Sequence, residues 1–181
     1  MSNDEQSDAK FWITQLALEP IDLGGFFGPG DRSTETITAS CLPDRFDGDH
    51  DFYSTNYFLL AAGVPSVSRL ALHQLKQDEQ WFFFKGDGLI LHIFKADNSY
   101  ERIAVGDKVQ IGECLMAVAP ANSWFGAELI NEDSFALSGC SLAPGWEPSD
   151  STLPNDSDLT QFKRNFPDHI AIINRLTQHS A

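Results

Sequence analysis

The sequence predicts an all-β domain, an antiparallel sandwich or barrel with a short helix before it and further helices after it. Between residues 52 and 145, segments rich in aromatic and other β-forming residues are separated by Gly, Pro, Asn or Asp at intervals of roughly ten residues. Many short strands at such spacing are typical of sandwiches and barrels. After residue 145 the composition becomes polar and acidic, and then amphipathic with helical spacing, which predicts helices outside the β body.

The chain divides into three regions on these patterns. Residues 1–9 are polar and predict a disordered tail. Residues 10–146 predict the β domain, which begins with a short helix from Phe11 that ends at Pro20. Residues 147–181 predict an acidic connector followed by two helices, separated by a proline, that pack on the β domain.

The charge of the protein limits the partners that it can have. Its 181 residues include 12 basic and 26 acidic side chains, so the net charge is -14. A protein that binds a phosphate backbone or an anionic lipid surface needs a basic face. The sequence therefore predicts neither a nucleic acid nor a membrane partner.

The cysteines and the first residues predict a cytoplasmic location. Cys41, Cys114 and Cys140 are widely spaced and match neither a disulfide framework nor a zinc site, so we expect reduced thiols. The polar, acidic start does not have the pattern of a signal peptide. No apolar run approaches the roughly 20 residues of a membrane-spanning helix.

The candidate functional residues are concentrated between residues 69 and 86. Two strands joined by a turn would bring His73 close to Glu79. A carboxylate beside a histidine raises the pKa of the imidazole and fixes its tautomer, so the two residues are a candidate catalytic pair. Strand alternation puts Glu79, Trp81 and Phe83 on one face, and these two aromatic side chains would then line the same cavity.

Three other residues are predicted to contact a ligand. Arg69 has the same alternation as His73, so it is expected to point inward and to bind an anionic group; a surface ion pair is the alternative. Tyr57 lies on a predicted strand of the same domain. Trp124 is predicted near the mouth of the cavity, with core packing as the alternative.

Two short motifs are similar to those of the cupins. His73, Glu79 and Gly86 have the spacing of the first cupin motif, but Leu75 stands where a second histidine is expected. In the second motif, which begins at Pro120, Phe125 stands in place of the ligand histidine.

The longer blocks STNYFLLAAG, PANSWFGA and SGCSLAPGW make the chain resemble the DUF985 (cupin-5) family over roughly residues 11 to 179. The resemblance implies a jelly-roll fold, the RmlC-like double-stranded β-helix, and a homodimer of uncharacterised function. A typical cupin metal site has three histidines and a glutamate, and here only His73 and Glu79 remain. Two ligands are too few for zinc or non-haem iron, so the sequence predicts no metal and no other cofactor.

Two functions follow from the sequence, and they belong to different classes. The first is the binding of a small polar metabolite, such as a sugar, a nucleotide or a carboxylate, in an aromatic-lined pocket without a metal. The alternative is a sugar or nucleotide-sugar epimerase or isomerase in which His73 and Glu79 transfer a proton; members of the family are sometimes described as predicted sugar epimerases. A structural interaction through the aromatic strand is a third interpretation.

Overall fold

The protein is described by a computed structural model that covers residues 3–63 and 68–177, with side chains from residue 8 onward. The strands in these residues are β1 (Glu19–Pro20), β2 (Phe26–Arg32), β3 (Thr36–Ile37), β4 (His50–Asp51), β5 (Ser54–Ala61), β6 (Arg69–Leu75), β7 (Glu79–Gly86), β8 (Leu89–Phe94), β9 (Tyr100–Val105), β10 (Met116–Ala119), β11 (Trp124–Leu129), β12 (Phe135–Leu142) and β13 (Ser151–Thr152). The helices are α1 (Asn3–Gln15), α2 (Asp156–Asn165) and α3 (Ile170–Thr177).

Two antiparallel sheets form the body of the molecule. The six-stranded sheet has the order β1-β2-β5-β12-β7-β10, and the five-stranded sheet has the order β13-β6-β11-β8-β9. Their inner faces share one apolar core, in which Phe58 and Trp81 of the first sheet pack with Leu91 and Phe125 of the second. The prediction of an all-β jelly roll with helices at both ends is confirmed.

The helices cover parts of the outer faces of both sheets. α1 packs against the six-stranded sheet through Trp12, Ile13 and Leu16. α2 and α3 pack against the five-stranded sheet, where Phe162 and Ile173 belong to one apolar cluster with Leu72 and Phe94 of the sheet. Within the described residues, no helix is both long enough and apolar enough to cross a membrane.

α1 begins earlier than the sequence predicts. The structure has residues 3–9 in this helix, although their polar composition predicted a disordered tail. Ala9 is buried in the cluster beneath α1, so contact with the sheet extends beyond the apolar stripe that begins at Phe11. The first two residues of the predicted tail, and the last residues of the predicted C-terminal helix from 178 onward, lie outside the described residues.

The predicted connector contributes to the β body. Ser151 and Thr152 form β13, which pairs with β6. Asp150 is 1% exposed. Its carboxylate accepts hydrogen bonds from the His50 ring and from the Gln77 amide, and both are 3.0 Å long. The backbone N–H of Glu147 donates to the same carboxylate. The segment after residue 146 is therefore fixed to the domain by a buried polar network.

A β-bulge in β6 changes which of its side chains face inward. His73 is paired with Phe125, and Leu70 with Ala127, so two residues of β6 lie opposite the single residue Gly126 of β11. An extra residue in one strand reverses the alternation of the side chains that follow it. Arg69 and His73, which simple alternation places on one face, are therefore on opposite faces of the sheet.

Candidate functional site

A cavity of about 570 Å³ lies between the two sheets. Its walls are mainly apolar, and the polar side chains form two groups, one deep in the cavity and one at its mouth. The apolar lining is Ile21, Leu23, Phe27, Pro29, Gly30, Phe58, Leu70, Leu75, Trp81, Leu142 and Trp146. The polar lining is Asp22, Arg32, Ser54, Thr55, Asn56, His73, Glu79, Cys140 and Ser151.

Glu79 is on the wall that the six-stranded sheet provides. It begins β7, where it is paired with Leu142 of β12 and its side chain points into the cavity. The indole N–H of Trp81 donates a hydrogen bond of 2.9 Å to one carboxyl oxygen. Burial raises the pKa of Glu79 to about 7, although the interactions with Trp81 and the Cys140 thiol act in the opposite direction. Near neutral pH a substantial fraction of this carboxyl group is therefore protonated.

His73 is on the opposite wall, in β6 of the five-stranded sheet. Its Nδ1 lies 2.9 Å from the carbonyl oxygen of Ala71, which can only accept, so Nδ1 carries the proton. Burial lowers the pKa of His73 to about 4, although this hydrogen bond acts in the opposite direction. The imidazole is therefore neutral at pH 7, and its Nε2 is a hydrogen-bond acceptor.

His73 and Glu79 do not form the hydrogen-bonded pair that the sequence predicted. Within the residues that the structure describes, no hydrogen bond or ion pair joins them, and each belongs to a different sheet. The turn after β6 carries the chain from one sheet to the other, so the two residues lie on facing walls. The cavity thus has a carboxyl group on one wall and an acceptor nitrogen on the other.

Of the predicted ligand-binding residues, Trp81 lines the cavity beside Glu79 and packs edge-on against Phe58, with ring centroids 5.4 Å apart. Phe83 packs against the apolar core but is not part of the cavity lining. It lies farther along β7, opposite Ser138.

Tyr57, Arg69 and Trp124 are all outside this cavity, which corrects the prediction. Tyr57 is in the apolar cluster beneath α1, because its neighbour Phe58 is the residue of β5 that faces inward. Arg69 is paired with Glu128 before the bulge in β6, so it faces away from the cavity. Trp124 lies on the outer face beside α2, because Phe125 takes the inward position.

The mouth of the cavity includes residues that the sequence did not indicate. Arg32 lies there, and its guanidinium is already paired with Asp51, over 2.8 Å, and with Glu147. Trp146 lines the mouth, with its indole N–H donating to Ser151. Cys140 lies deeper in the cavity. It has this position because β12 pairs with β7, which places Cys140 opposite Trp81. A sequence pattern cannot reveal this alignment, since it depends on which strands are neighbours.

The residues of the cavity do not fit a cupin metal centre. In the described part of the chain, no group of three or more His, Cys, Asp or Glu side chains is placed to hold a metal ion. Leu75 lines the cavity, and the ring of Phe125 lies 4.2 Å from that of His73, so apolar side chains occupy both positions of the missing histidines. His50 and His92 are hydrogen-bonded elsewhere, to Asp150 and to Tyr100.

A two-sheet jelly roll with a cavity between the sheets and remnants of the two histidine motifs defines a protein of the cupin class. The chain belongs to the Cupin_5 family of the cupin superfamily (DUF985), whose model matches residues 10–154.

Two solved structures are similar to it over nearly their whole length. A hypothetical protein from Leishmania major is 28% identical, with a TM-score of 0.76, over 93% of this chain and 98% of that one. A protein from Shewanella oneidensis is 26% identical, with a TM-score of 0.79, over 95% and 98% of the two chains. A cupin 2 domain-containing protein from Halorhodospira halophila, at 10% identity and a TM-score of 0.52, shares the fold over 90% of this chain and 89% of its own. No curated protein matches the sequence.

Proposed function

We propose that the cavity between the sheets binds a small, uncharged and largely apolar molecule that carries one or two carbonyl or hydroxyl groups. The observation that supports this most is the pair of buried ionisable groups, His73 and Glu79, whose pKa values are shifted toward their neutral forms. A protonated Glu79 donates a hydrogen bond to a carbonyl oxygen of the ligand. The Nε2 atom of His73 accepts one from a hydroxyl group.

The charge distribution favours an uncharged ligand over the nucleotides and carboxylates that the sequence left open. The cation in the lining is Arg32 at the mouth, and two carboxylates already pair with it. An anion deeper in the cavity would meet Glu79 without a cationic partner, and burial of an unpaired charge is unfavourable. The apolar walls also disfavour an unsubstituted sugar, because several of its hydroxyl groups would lose their hydrogen bonds to water.

A thermal-shift screen tests the proposal, since a ligand that binds the folded state raises the melting temperature. The panel contains uncharged lactones and hydroxy ketones, methyl glycosides, nucleotides and carboxylates of matched size. We expect uncharged, mainly apolar compounds to raise the melting temperature. His73→Leu should weaken their binding about tenfold, because one hydrogen bond is lost. Tyr57→Phe, on the outer face of β5, is the matched control and should bind as the wild type does. Stabilisation by nucleotides or carboxylates alone would show the proposal to be wrong.

An isomerase or epimerase is the second candidate, and the facing positions of His73 and Glu79 favour it. The neutral His73 Nε2 can take a proton from a carbon next to a carbonyl group, while Glu79 donates one to the carbonyl oxygen. Return of a proton to a carbon completes the isomerisation without any cofactor.

Exchange of ligand protons with deuterated water tests this second candidate. The exchange should be lost in His73→Leu and should fall by about a hundredfold or more in Glu79→Gln, which still binds but has no transferable proton. If a bound ligand does not exchange its protons with the solvent, the protein binds that ligand without isomerising it.

We also propose that the protein forms a homodimer through one apolar surface. Large apolar side chains are exposed on β10, which ends the six-stranded sheet, in the segment before it, and on the neighbouring strand β7. They are Met116 67% and Val118 45% on β10, Val109 58%, Ile111 73% and Leu115 56% before it, and Phe84 44% on β7. An edge strand with apolar neighbours favours association, and two identical edges can pair about a twofold axis. A cytoplasmic location remains a prediction from the sequence.

A further inference from the structure

A second cleft lies on the outer face of the five-stranded sheet, on the far side of β6 from His73. Its volume is about 250 Å³. Aromatic side chains form its floor, with Trp124 partly exposed above the buried Phe94 and Phe162. Its rim comes from the β8–β9 turn, the β10–β11 turn and α2.

Side-chain amides are concentrated around this floor. Five of the lining residues are Asn or Gln, namely Gln74, Asn98, Asn122, Gln161 and Asn165. Within the part of the chain that the structure describes, the side chains of Asn98 and Asn122 make no hydrogen bond, and neither does the indole N–H of Trp124.

The other amides are held in place by bonds that leave half of each group available. The Gln161 N–H donates to Asn165 Oδ1 over 2.8 Å, so Gln161 Oε1 and Asn165 Nδ2 remain unused. The Gln74 amide donates to the backbone carbonyl of Asn122 over 2.6 Å, which leaves Gln74 Oε1 unused. The cleft therefore presents both hydrogen-bond donors and acceptors around its aromatic floor.

We propose that this cleft binds one ring of an uncharged sugar. A sugar hydroxyl both donates and accepts, and a side-chain amide offers the complementary donor and acceptor on one group. The C–H face of a pyranose ring is apolar and packs against the face of an indole. The central cavity, which has few amides, does not have this combination.

Size and charge define the ligand further. The volume is below the roughly 300 Å³ at which cavities for drug-sized ligands begin, so it suits one ring and not a long chain buried throughout. The cation at the rim, Lys95, is paired with Glu101 over 2.7 Å, and Asp158 is also in the lining. Among the described residues that line the cleft, no cation is free to pair with an anionic sugar, so the ligand is a neutral hexose unit.

The backbone conformation gives another explanation for the asparagines at positions 98 and 122. The two explanations predict different effects of substitution by glycine, so they can be distinguished. Asn98 has φ 64° and Asn122 has φ 60°, a left-handed conformation that asparagine adopts more readily than most residues. If they are only turn residues, glycine replaces them without any loss of function. If they bind the ligand, glycine keeps the turns and removes the amides.

The experiment is saturation-transfer NMR of the whole protein with methyl glucoside, methyl galactoside and methyl mannoside. We expect saturation transfer to at least one of them. The double variant Asn98→Gly, Asn122→Gly should weaken its affinity about tenfold or more, through two lost hydrogen bonds. Gln161→Ala, on the exposed side of α2, is a second variant that leaves both turns unchanged, and it should weaken the affinity severalfold.

The control variant is His73→Leu, which changes the central cavity and should leave the signal unchanged. Absence of saturation transfer from all three glycosides would overturn the proposal. So would wild-type affinity in the double glycine variant, which would make the two asparagines turn residues only. Loss of the signal in His73→Leu with retention in the glycine variant would assign the sugar to the central cavity instead.

Discussion

At the scale of single residues, one extra residue in β6 decides which side chains meet in the cavity. Alternation from His73 toward the start of the strand would turn Arg69 inward, but the bulge opposite Gly126 reverses it. Gly126 itself has little space, since an added Cβ would lie 2.8 Å from the carbonyl oxygen of Leu70. The close approach of the two backbones at this point needs a glycine, and the bulge gives the cavity Leu70 in place of a cation.

The pKa of Glu79 gives the first prediction, which is a dependence of stability on pH. Its pKa is about 7 in the folded protein and 4.5 in the reference state, so the folded state resists ionisation. Well below pH 4.5 the carboxyl group of Glu79 is protonated in both the folded and the unfolded protein, so it does not lower the free energy of unfolding. As the pH rises from 4.5 to 7 the unfolded state ionises first, so stability falls.

Glu79→Gln should therefore be more stable than the wild type at pH 8, by up to about 3 kcal/mol, and similar to it at pH 4.5. Glutamine can still accept the hydrogen bond from Trp81. Urea unfolding of both proteins at the two pH values measures the difference. An effect of the substitution that is the same at both pH values would mean that the pKa of Glu79 does not change on folding, and it would contradict the prediction.

At the scale of structural elements, the segment after β12 shows how a polar stretch becomes part of the core. Composition alone predicts a connector for residues 147–158, because serine, aspartate and proline are common in loops. The structure uses the same residues as a capped turn at Pro148–Asp150 followed by β13. The buried carboxylate of Asp150 joins this turn to His50 on β4 and to Gln77 after β6.

Removal of that carboxylate is the second prediction. Asp150→Ala would leave His50, Gln77 and the backbone N–H of Glu147 without their common acceptor in a buried position. We expect a loss of about 3 kcal/mol or more in the free energy of unfolding. Ser149→Ala, at the exposed neighbouring position, should change it by less than about 0.5 kcal/mol. Equal effects of the two substitutions, measured by urea unfolding, would contradict the role of the network.

The contact between α3 and the five-stranded sheet gives a third prediction, on acid sensitivity. Burial raises the pKa of Glu128, but hydrogen bonds from His92 and Arg175 outweigh it and lower the pKa to about 2. The ionised Glu128 therefore stabilises the folded protein fully above pH 4.5, and this stabilisation is lost as the pH falls toward 2. Thermal melts of Glu128→Gln should therefore show less loss of stability between pH 5 and 3 than the wild type. The same loss in both proteins would assign the acid sensitivity to other groups.

At the scale of the whole molecule, the two sheets are covered unequally. α1 covers one part of the six-stranded sheet, and α2 and α3 cover the five-stranded sheet. The part of the six-stranded sheet that ends in β10 keeps its exposed apolar side chains. Phe84, on the neighbouring strand β7, is also 44% exposed.

The proposed homodimer leads to the fourth prediction. Met116→Lys with Val118→Lys would place two charges on the apolar surface beside β10. A dimer that uses this surface should dissociate at least about tenfold more easily, because unpaired charges would be buried at its interface. Sedimentation velocity over a range of concentrations measures this, and Ile170→Lys on the exposed side of α3 is the control. A monomeric wild-type protein, or a dimer that the double variant does not weaken, would show the proposal to be wrong.

The sequence by itself determined the all-β class, the positions of most strands, the inward position of His73, Glu79 and Trp81, and the family. These depend on local alternation, on turn residues and on motif spacing, all of which are properties of neighbouring residues in the chain. Only the tertiary structure decided that His73 and Glu79 lie on facing walls, that Cys140 and Arg32 join them, and that Trp124 belongs to a separate cleft. Those positions depend on which strands pair and where a bulge reverses a strand, and both are set by contacts between residues far apart in sequence.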